Sequence, residues 1–493
     1  MFGDRPDRPR LCGRSIYGAP SGVDNIPVCL MHSADPQKSD TQFQEEFERI
    51  LHLAGEGLAD FSGFIFPSSN YGRQFSARCC FAWAIFTRDA NFNGAKFTRV
   101  DFGLARFDQD ANFNSATFAE QANFSYATFK QNANFTGGWN EVTQDQNKMF
   151  AQNATFASAH FERDAHFNAS RFDKIANFTG ARFMGAAEFR RTAFRHDARG
   201  KDHEPGPVFS ETAFDSPEKV AFYQTDLGQA LFHNCDVSKL NFSDVNWRTR
   251  KNRKSMVLDE VVDPRFLLIL DAVVDPEYSE ERPSKDIPLA ESLQPRNPSA
   301  DPRNYRLIEE LYQKLKRNYD DHADYRVAGD FHYGEMELKR QRSDRRNGVP
   351  RWLHRNLGLV AWYKYASEYG ESYARPGLWL ALVFFAFMLL YPVVGMDWDA
   401  NRSCSPVSVS ATAKRLTYWQ PLQDSSNSRS VWRARQDLVG HSLVTTLYVA
   451  AFQKDLIYQP SYPWGRLLVL AETLLTSTMA ALLLLAVRRQ FKR

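Results

Sequence analysis

The stretch Ala111-Asn-Phe-Asn-Ser-Ala-Thr-Phe-Ala-Glu-Gln-Ala-Asn-Phe-Ser-Tyr-Ala-Thr-Phe-Lys-Gln-Asn-Ala-Asn-Phe135 places a phenylalanine at every fifth or sixth position, with a small residue two places before each. This spacing matches neither the period of an α-helix nor that of a flat strand. The same spacing continues on both sides of the stretch. We predict that the central rings form a core, whose clearest members are Phe92, Phe97, Phe102, Phe113, Phe118, Phe124, Phe129, Phe135, Phe161, Phe167, Phe172 and Phe178.

A small-x-large block repeated every five residues predicts a coil with flat sides. If each block forms one short extended side and then turns, four blocks close one turn of a solenoid. Neighbouring turns then pair as parallel strands about 4.8 Å apart, with the large residue pointing inward. The six-residue steps insert one extra residue, which we expect at a turn between sides.

These blocks resemble the pentapeptide-repeat family, whose pattern is A-(D/N)-(L/F)-x-x, in its variant with phenylalanine at the centre. The resemblance extends from Phe61 to Trp247. It implies a right-handed quadrilateral parallel β-helix, which we place at residues 59–250. Two stretches, 136–149 and 195–208, have no phenylalanine at the repeat spacing and are predicted to be loops that project from the coil.

Charge and motifs argue against several classes of function. Some members of this family imitate DNA with an acidic surface, but residues 86–194 contain 12 Lys or Arg and 11 Asp or Glu with both signs interspersed, so DNA mimicry is not expected. The formal net charge of +3 gives no broad bias toward nucleic-acid binding either. The sequence contains no nucleotide-binding, metalloprotease or hydrolase motif. Six cysteines without a Cys-x-x-Cys pair are expected to be thiols. We therefore predict no catalytic, cofactor-binding or metal-binding residues and no enzyme.

The rest of the chain is predicted to flank this solenoid with helices. Residues 40–58 place Phe43, Phe47, Ile50 and Leu51 on one helical face, which suits a lid over the open N-terminal edge. Residues 304–345 have the spacing of a helical hairpin, similar to one tetratricopeptide unit. The remaining predicted segments are a disordered N-terminal segment (1–39), a C-terminal flank with a Pro-rich linker (251–303) and a juxtamembrane segment (346–376).

Two stretches, 377–396 and 467–487, are long and apolar enough to cross a bilayer. Basic residues precede the first stretch and form a tail, 488–493, after the second. By the positive-inside rule, both termini are expected in the cytoplasm, with 397–466 as an extracytoplasmic loop. The polar N-terminus lacks a signal peptide. The chain is therefore predicted to be a multi-pass protein of a bacterial-type inner membrane.

The segment 438–455 between the two spans is apolar but too short to span. The order of a membrane span, a short apolar helix and a second span resembles the two-helix potassium-channel module. This resemblance implies five candidate pore residues: Thr445, Thr446, Lys454, Asp455 and Glu472. The filter does not match, because Phe452 and Lys454 stand where the family has the two glycines of its filter. For Glu472 we favour a position at the membrane interface, near the end of its helix.

Two functions follow from this organisation. The first is a membrane-anchored scaffold whose solenoid presents a rigid cytoplasmic surface to an unidentified protein partner. The second is a channel-like or sensor protein, assembled as a tetramer, with a degenerate non-potassium filter gated by the solenoid. Self-association is possible in either case, and no cofactor is implied.

Overall fold

The computed structural model describes residues 13–18, 24, 27–67, 70–140, 145–146, 149–194, 206–250, 253–261, 304–341, 351–394, 396–398, 428–452, 458–460 and 463–492. The chain divides into two compact units, Met1–Leu338 and Lys339–Arg493. The first unit contains the repeats, and the second contains two long apolar helices.

Short parallel strands build the first unit, and each pairs with the strand one coil further along. Sheet one consists of Leu58–Asp60, Arg78–Cys80, Val100–Asp101, Ala122–Asn123, Ala154–Thr155, Ala176–Asn177 and Pro207–Val208. Sheet two consists of Ile65–Phe66, Ile85–Phe86, Arg106–Phe107, Thr128–Phe129, His160–Phe161, Arg182–Phe183 and Ala213–Phe214. Sheet three consists of Ala90–Asn91, Ala111–Asn112, Ala133–Asn134, Ala165–His166, Ala187–Arg190, Val220–Tyr223 and Asn241–Ser243.

A fourth set of strands, sheet four, is interrupted once. It consists of Gln74–Phe75, Lys96–Phe97 and Thr117–Phe118, followed by Arg171–Phe172 and Ala193–Phe194. Phe150 joins the two parts through single parallel bridges to Phe118 and Phe172. Sequential strands thus fall in different sheets and pair only with neighbouring coils, as in a parallel β-solenoid.

Four columns of stacked aromatic rings fill the interior. Within a column, the distance between the ring centroids of successive coils ranges from 4.5 Å, for Phe150 and Phe172, to 5.5 Å, for Phe222 and Phe242. Column one is Phe61, Phe81, Phe102, Phe124, Phe156, Phe178, Phe209 and Phe232. Column two is Phe66, Phe86, Phe107, Phe129, Phe161, Phe183 and Phe214. Column three is Tyr71, Phe92, Phe113, Phe135, Phe167, Phe189, Phe222 and Phe242. Column four is Phe75, Phe97, Phe118, Phe150, Phe172 and Phe194.

The alternation of five and six residues follows from two kinds of turn. After a ring of column one or three the chain turns through a residue of positive φ, such as Leu104 (φ 60) or Ser115 (φ 55), and reaches the next ring in five residues. After columns two and four, in the central coils, the turn takes one residue more, except between Phe97 and Phe102, which are five residues apart. The phenylalanines predicted as core are each at most 2 % exposed.

Helix α1 (Asp40–Ala54) covers the N-terminal end of the solenoid. Its N-cap is Ser39, whose side chain accepts a hydrogen bond from the Gln42 backbone N–H, so the cap precedes the predicted start at residue 40. Phe43 and Phe47 are buried, and the Phe47 ring lies 4.7 Å from that of Phe61 at the foot of column one. The helix ends at Ala54, and Leu58 already belongs to sheet one.

The prediction of a disordered segment over 1–39 is wrong for its described C-terminal part. Met31 and Cys29 belong to the same core as the phenylalanine columns, and the Ile65 backbone N–H donates to the Met31 carbonyl at 2.8 Å. Lys38 donates through its ammonium group to the carbonyls of Leu30, Ser33 and Ile65, and burial lowers its pKa to about 8. These contacts satisfy carbonyl groups at the open end of the coil, which accounts for the order of the segment.

Two helices cover the C-terminal end, namely α2 (Tyr305–Asp321) and α3 (Tyr325–Gln341). The side-chain amide of Asn318 donates to three carbonyls of the last coil, those of Val237, Ser238 and Leu240, at 3.1, 3.1 and 2.7 Å. The indole of Trp247 donates to the Tyr319 hydroxyl at 2.7 Å. The hairpin predicted at 304–345 thus packs on the solenoid and closes its sheet edges.

Part of the segment assigned to a flank and linker, 251–303, also belongs to this cap. Arg253–Met256 pairs antiparallel with Arg248–Arg250, and a short 3-10 helix follows at Leu258–Glu260. The Arg253 guanidinium donates twice to the Glu260 carboxylate, at 2.7 and 2.8 Å, and both residues are buried. The Tyr312 hydroxyl donates to Glu260 at 2.6 Å, so this ion pair joins the flank to α2.

We expect Asp259→Asn to stabilise the first unit at high pH. Burial raises the pKa of Asp259 to about 7 from 3.8, and its carboxylate accepts a hydrogen bond from the Phe232 backbone N–H at 3.1 Å. A pKa raised on folding gives stability that is full below the unfolded value and is lost as pH rises towards the folded value. Asparagine keeps the acceptor without the charge, so at pH 8 the variant should gain about 2 kcal/mol in free energy of unfolding.

Urea unfolding of the fragment 1–338 at pH 5 and pH 8 measures this gain. The difference between the variant and the unmodified fragment should grow with pH. A difference that stays constant between the two pH values contradicts the buried, protonated carboxyl.

The insertion at 136–149 contains an antiparallel pair, Trp139–Asn140 with Asp145–Gln146. The second predicted loop, 195–208, is partly wrong, because Pro207–Val208 pairs in register with Ala176–Asn177 of sheet one. Residues 195–205 lie outside the described residues. Proline tolerates this position because Pro207 is the first residue of its strand.

Gly137→Ala is expected to lower the free energy of unfolding by about 3 kcal/mol through overpacking. A Cβ at Gly137 would lie 2.1 Å from the backbone oxygen of Ala169 and 2.9 Å from Cα of Ser170. Gly94→Ala is the control, since its Cβ would meet nothing within 4 Å and only its positive φ of 66° opposes alanine, at about 1 kcal/mol. Urea unfolding of both variants tests the difference, and equal losses would exclude the close approach at Gly137.

The second unit is helical. It contains α4 (Arg351–Leu357), α5 (Leu359–Ser367), a 3-10 turn at Glu368–Gly370, α6 (Ala374–Val394), α7 (Ser428–Ala450) and α8 (Pro463–Lys492), with one antiparallel pair, Met396–Trp398 and Tyr458–Pro460. Helices α6 and α8 are long and apolar enough to cross a membrane. The predicted tail at 488–493 is wrong as a separate element, because α8 continues through Lys492 and Arg489 donates to the Tyr369 carbonyl at 2.8 Å.

Candidate binding surface and candidate pore residues

The outward residues of sheets one and three have a structural task. In each Ala-Asn-Phe or similar block the polar side chain accepts a hydrogen bond from the backbone N–H two residues later, as Asn112 does from Asn114 at 3.0 Å and Asn123 from Ser125 at 2.9 Å. Asp101 accepts in the same way from Gly103 at 2.7 Å. This closes the turn after each ring. The fold thus uses a side-chain oxygen at this position, and a hydroxyl can provide it, as that of Thr155 does by accepting from the Ala157 N–H at 3.3 Å.

The outward residues of sheets two and four form no such turn contact. They are chemically diverse, and on sheet two they are Ile65, Ile85, Arg106, Thr128, His160, Arg182 and Ala213. Arg106 and Lys130 both contact the carboxylate of Asp108, at 3.0 and 2.7 Å, which leaves the surface without a large field of one sign. The turns therefore do not depend on these side chains.

A cluster of polar side chains lies on the outer face of sheet three. His166 and Asn168 contact the Glu188 carboxylate at 3.2 and 2.8 Å, and Arg190 lies 3.2 Å from it. Burial raises the pKa of Glu188, but these hydrogen bonds and the charge of Arg190 outweigh burial, so its pKa lies below the usual value. A carboxylate held in its charged form by three neighbours is typical of a surface network and not of an acid-base catalyst.

A groove of about 440 Å³ lies where the insertion leaves the wall of sheet four. It is lined by Gly94, Lys96, Ser115, Ala116, Thr117, Gly138 and Met149. One ammonium and two hydroxyl groups give this groove a polar rim over small residues.

Among the residues that the structure describes, no three His, Cys, Asp or Glu side chains are grouped so as to hold a metal ion. Cys79 and Cys235 are buried, and burial raises the pKa of Cys79 to about 12 and raises that of Cys235 as well. A thiol with a raised pKa is a poor nucleophile. Cys12 and Cys404 lie outside the described residues.

In the second unit, the structure contradicts the predicted interfacial position of Glu472. Its side chain is 0 % exposed, and the Tyr391 hydroxyl of α6 donates to its Oε2. Helix α8 begins at Pro463, so Glu472 lies more than two turns inside the helix and on the face that packs against α6. Within the described part of the chain, Oε1 of Glu472 has no hydrogen-bond partner.

Thr445 and Thr446 are buried on α7, together with Ser442. Their hydroxyls donate to the carbonyls of His441 and Ser442, at 3.0 and 2.9 Å, within the same helix. The Ser442 hydroxyl donates to the Met388 carbonyl of α6. The segment predicted at 438–455 is thus the end of a longer helix that stops at Ala450, and Lys454 and Asp455 lie outside the described residues.

The architecture of the first unit is that of a parallel β-solenoid with an aromatic interior. Residues 92–138 match the family model for pentapeptide repeats (9 copies). This match lies wholly within the solenoid and does not reach the second unit, so it gives no support to the resemblance to a channel module. A search of the curated proteins found no match to the chain.

Two features were not found from the sequence. Phe150 belongs to column four, but it follows the insertion and so does not continue the spacing of the preceding run. Its distance of six residues from Phe156, which matches the repeat, could have identified it. The buried cluster of Arg253, Glu260 and Tyr312 joins segments far apart in sequence, and no local pattern marks it.

Proposed function

We propose that this chain is a membrane-anchored pentapeptide-repeat scaffold that presents a rigid surface to a protein partner and catalyses no reaction. The observation that best supports this proposal is that the outward positions of different sheets have different roles. The Asn and Asp positions of sheets one and three close turns, whereas the outward residues of sheets two and four close no such turn among the described residues. A binding surface on a solenoid needs outward side chains whose identity can differ while the backbone that holds them keeps its structure.

We further propose that the solenoid is a right-handed quadrilateral β-helix. Four columns of rings and four sets of parallel strands support one side for each column. Such a shape makes each wall flat and nearly straight. A partner would therefore meet side chains spaced by one strand separation, about 4.8 Å, along the wall.

For the location we propose a bacterial-type inner membrane, with α6 and α8 as the two spans and both termini in the cytoplasm. The length and composition of these helices support spanning. Basic residues around residues 339–355 and at the C-terminal end of α8 support this orientation. The solenoid would then lie on the cytoplasmic side.

The test is affinity capture with residues 1–338 and two wall variants. One variant replaces Arg106, Thr128 and His160 of sheet two with alanine, and the other replaces Asn91, Asn112 and Asn134 of sheet three with serine. The scaffold predicts a specific protein that the sheet-two variant loses and the sheet-three variant retains, with both variants folded by circular dichroism. The proposal is contradicted if the captured protein binds both variants equally well, or if no protein is captured under several growth conditions.

A second candidate function is a tetrameric, channel-like or sensor protein gated by the solenoid. It is favoured by one observation, the buried carboxylate of Glu472 with an oxygen unpartnered among the described residues. Ionisable groups inside spans often mark ion paths. The purified full chain in planar bilayers tests it: current steps altered by Glu472→Gln and by Lys454→Glu support a channel, and a silent bilayer with monomeric protein excludes one.

A further inference from the structure

Helix α5 exposes a line of large apolar side chains, which we call the α5 face (Leu359, Trp362 and Tyr365). These residues recur at every third position, so they lie along one side of the helix. They are 89, 56 and 46 % exposed, whereas Ala361 and Ala366 of the same helix are buried. A contiguous exposed apolar surface of this kind is typical of a site that contacts another protein or a membrane.

Two hydrogen bonds place α5 beside the ends of both apolar helices. The Trp379 indole, in the second turn of α6, donates to the Tyr365 carbonyl at 3.3 Å. Arg489, in the last turn of α8, donates to the carbonyl of Tyr369, just after α5, at 2.8 Å. The apolar stretch of α6 begins at Ala374, and that of α8 ends at Arg489. If α6 and α8 cross a bilayer, α5 therefore lies at the level where the hydrocarbon ends.

The α5 face continues onto the outward surface of α6. Leu378 precedes Trp379 by one residue and Leu382 follows it by three, and these two leucines are 71 and 57 % exposed. Lipid covers such side chains in a helix that spans a membrane. Because the exposed surface passes from the α5 face to these leucines through Trp379, the same lipid can cover all of it. A protein bound to the α5 face would instead have to displace lipid from the beginning of α6.

The charged groups around the α5 face favour an anionic surface as its partner. Residues 351–376 contain four Lys or Arg and two Asp or Glu. Both of these carboxylates, Glu368 and Glu371, form ion pairs with arginines. Arg355 of α4 is exposed, and so is Arg488 near the end of α8. The charge that this part of the chain offers to a partner is therefore positive, and the phosphates of anionic lipids complement it.

We propose that the α5 face is an interfacial membrane-binding surface, which lies in the headgroup region of the bilayer and binds anionic phospholipid. Tryptophan and tyrosine suit this depth, because each combines an apolar ring with a polar group that reaches water. Arg355 and Arg488 contact lipid phosphates at the rim of the surface. The inference rests on the proposed spans and goes beyond them, since a chain can span a membrane without binding lipid at this helix.

Fluorescence quenching by brominated lipids tests this surface in the full chain. A bimane label at Leu359→Cys should lose about half of its fluorescence in vesicles whose phospholipids carry bromine on their acyl chains, because the α5 face is in contact with those chains. Lys364→Cys is the matched control. It lies on the other side of the same helix and should be quenched much less. The signal of the unmodified chain, labelled in the same way at its native cysteines, is subtracted.

Phe385→Cys provides a separate measure of the spans, because Phe385 is exposed in the middle of α6. Quenching at residue 385 without quenching at residue 359 overturns the α5 face and leaves the spans intact; it is the result expected if a second copy or a protein partner covers α5. Equal quenching at residues 359 and 364 also overturns the α5 face, since it shows no preferred side. Absence of quenching at all three sites overturns both the spans and this surface.

The choice of lipid is tested in vesicles of equal parts phosphatidylglycerol and phosphatidylcholine. Quenching at residue 359 should be about twofold greater when only the phosphatidylglycerol is brominated than when only the phosphatidylcholine is, and Arg355→Glu should reduce this preference. At residue 385 the two lipids should quench equally, because the middle of a span meets acyl chains and no headgroups. Equal quenching by the two lipids at residue 359 overturns the binding of anionic phospholipid.

Discussion

Phe124→Asp is expected to destabilise the solenoid by about 4 kcal/mol or more and to leave the fragment 1–338 largely unfolded at 37 °C. Phe124 is 0 % exposed and lies between the rings of Phe102 and Phe156, at 5.1 and 5.0 Å. The carboxylate would replace a ring in a continuous column without any partner for its charge. Thermal unfolding followed by circular dichroism measures the loss.

The control for this variant is Tyr126→Asp, two residues away. Tyr126 is 59 % exposed and has positive φ, which aspartate tolerates better than most residues. We expect a change of less than about 0.5 kcal/mol in the free energy of unfolding. If both substitutions lower the melting temperature equally, the inward column is not the source of stability.

Asn123→Asp is less suitable as a control than the sequence indicates. From the repeat alone an outward Asn→Asp change is expected to be nearly neutral. In the structure, however, the Asn123 amide donates to the Asp101 carboxylate at 2.8 Å. Aspartate at this position would oppose two carboxylates on neighbouring coils, so a measurable destabilisation is expected.

Glu260→Ala is expected to cost about 3–5 kcal/mol, because it leaves the Arg253 guanidinium buried without its carboxylate. Arg253 and Glu260 are 5 and 6 % exposed, and the hydroxyl of Tyr312 completes the network. Since this cluster joins the last coil to α2, its loss should also loosen the C-terminal cap. Urea unfolding and hydrogen exchange at residues 305–341 measure both effects.

The matched control is Glu310→Ala on the same helix. Glu310 forms an exposed ion pair with Arg306 at 3.0 Å, and such pairs contribute only about 0.3–0.5 kcal/mol. A double variant with apolar residues at positions 253 and 260 should recover part of the lost stability, because neither charge is then buried alone. Equal effects of Glu260→Ala and Glu310→Ala would contradict the buried pair.

The sequence by itself determined the interior of the solenoid. A central phenylalanine with a small residue two places before it recurs through the unbroken runs, so most inward positions could be predicted from local spacing, whereas Phe150, which follows the insertion and has Lys148 two places before it, could not. The covering helix with Phe43 and Phe47, the helical hairpin and the two long apolar helices were likewise visible as periodic patterns. Each depends on neighbours in sequence, and that is the reason it could be predicted.

Only the tertiary structure decided how the ends are closed and which polar groups are buried. Lys38 and Asn318 satisfy carbonyls at opposite ends of the coil, and Glu472 lies buried against Tyr391 instead of at an interface. These contacts join residues that are distant in the chain, so no local period reports them. Burial of a polar group depends on what packs over it, and that is fixed only when the whole chain is folded.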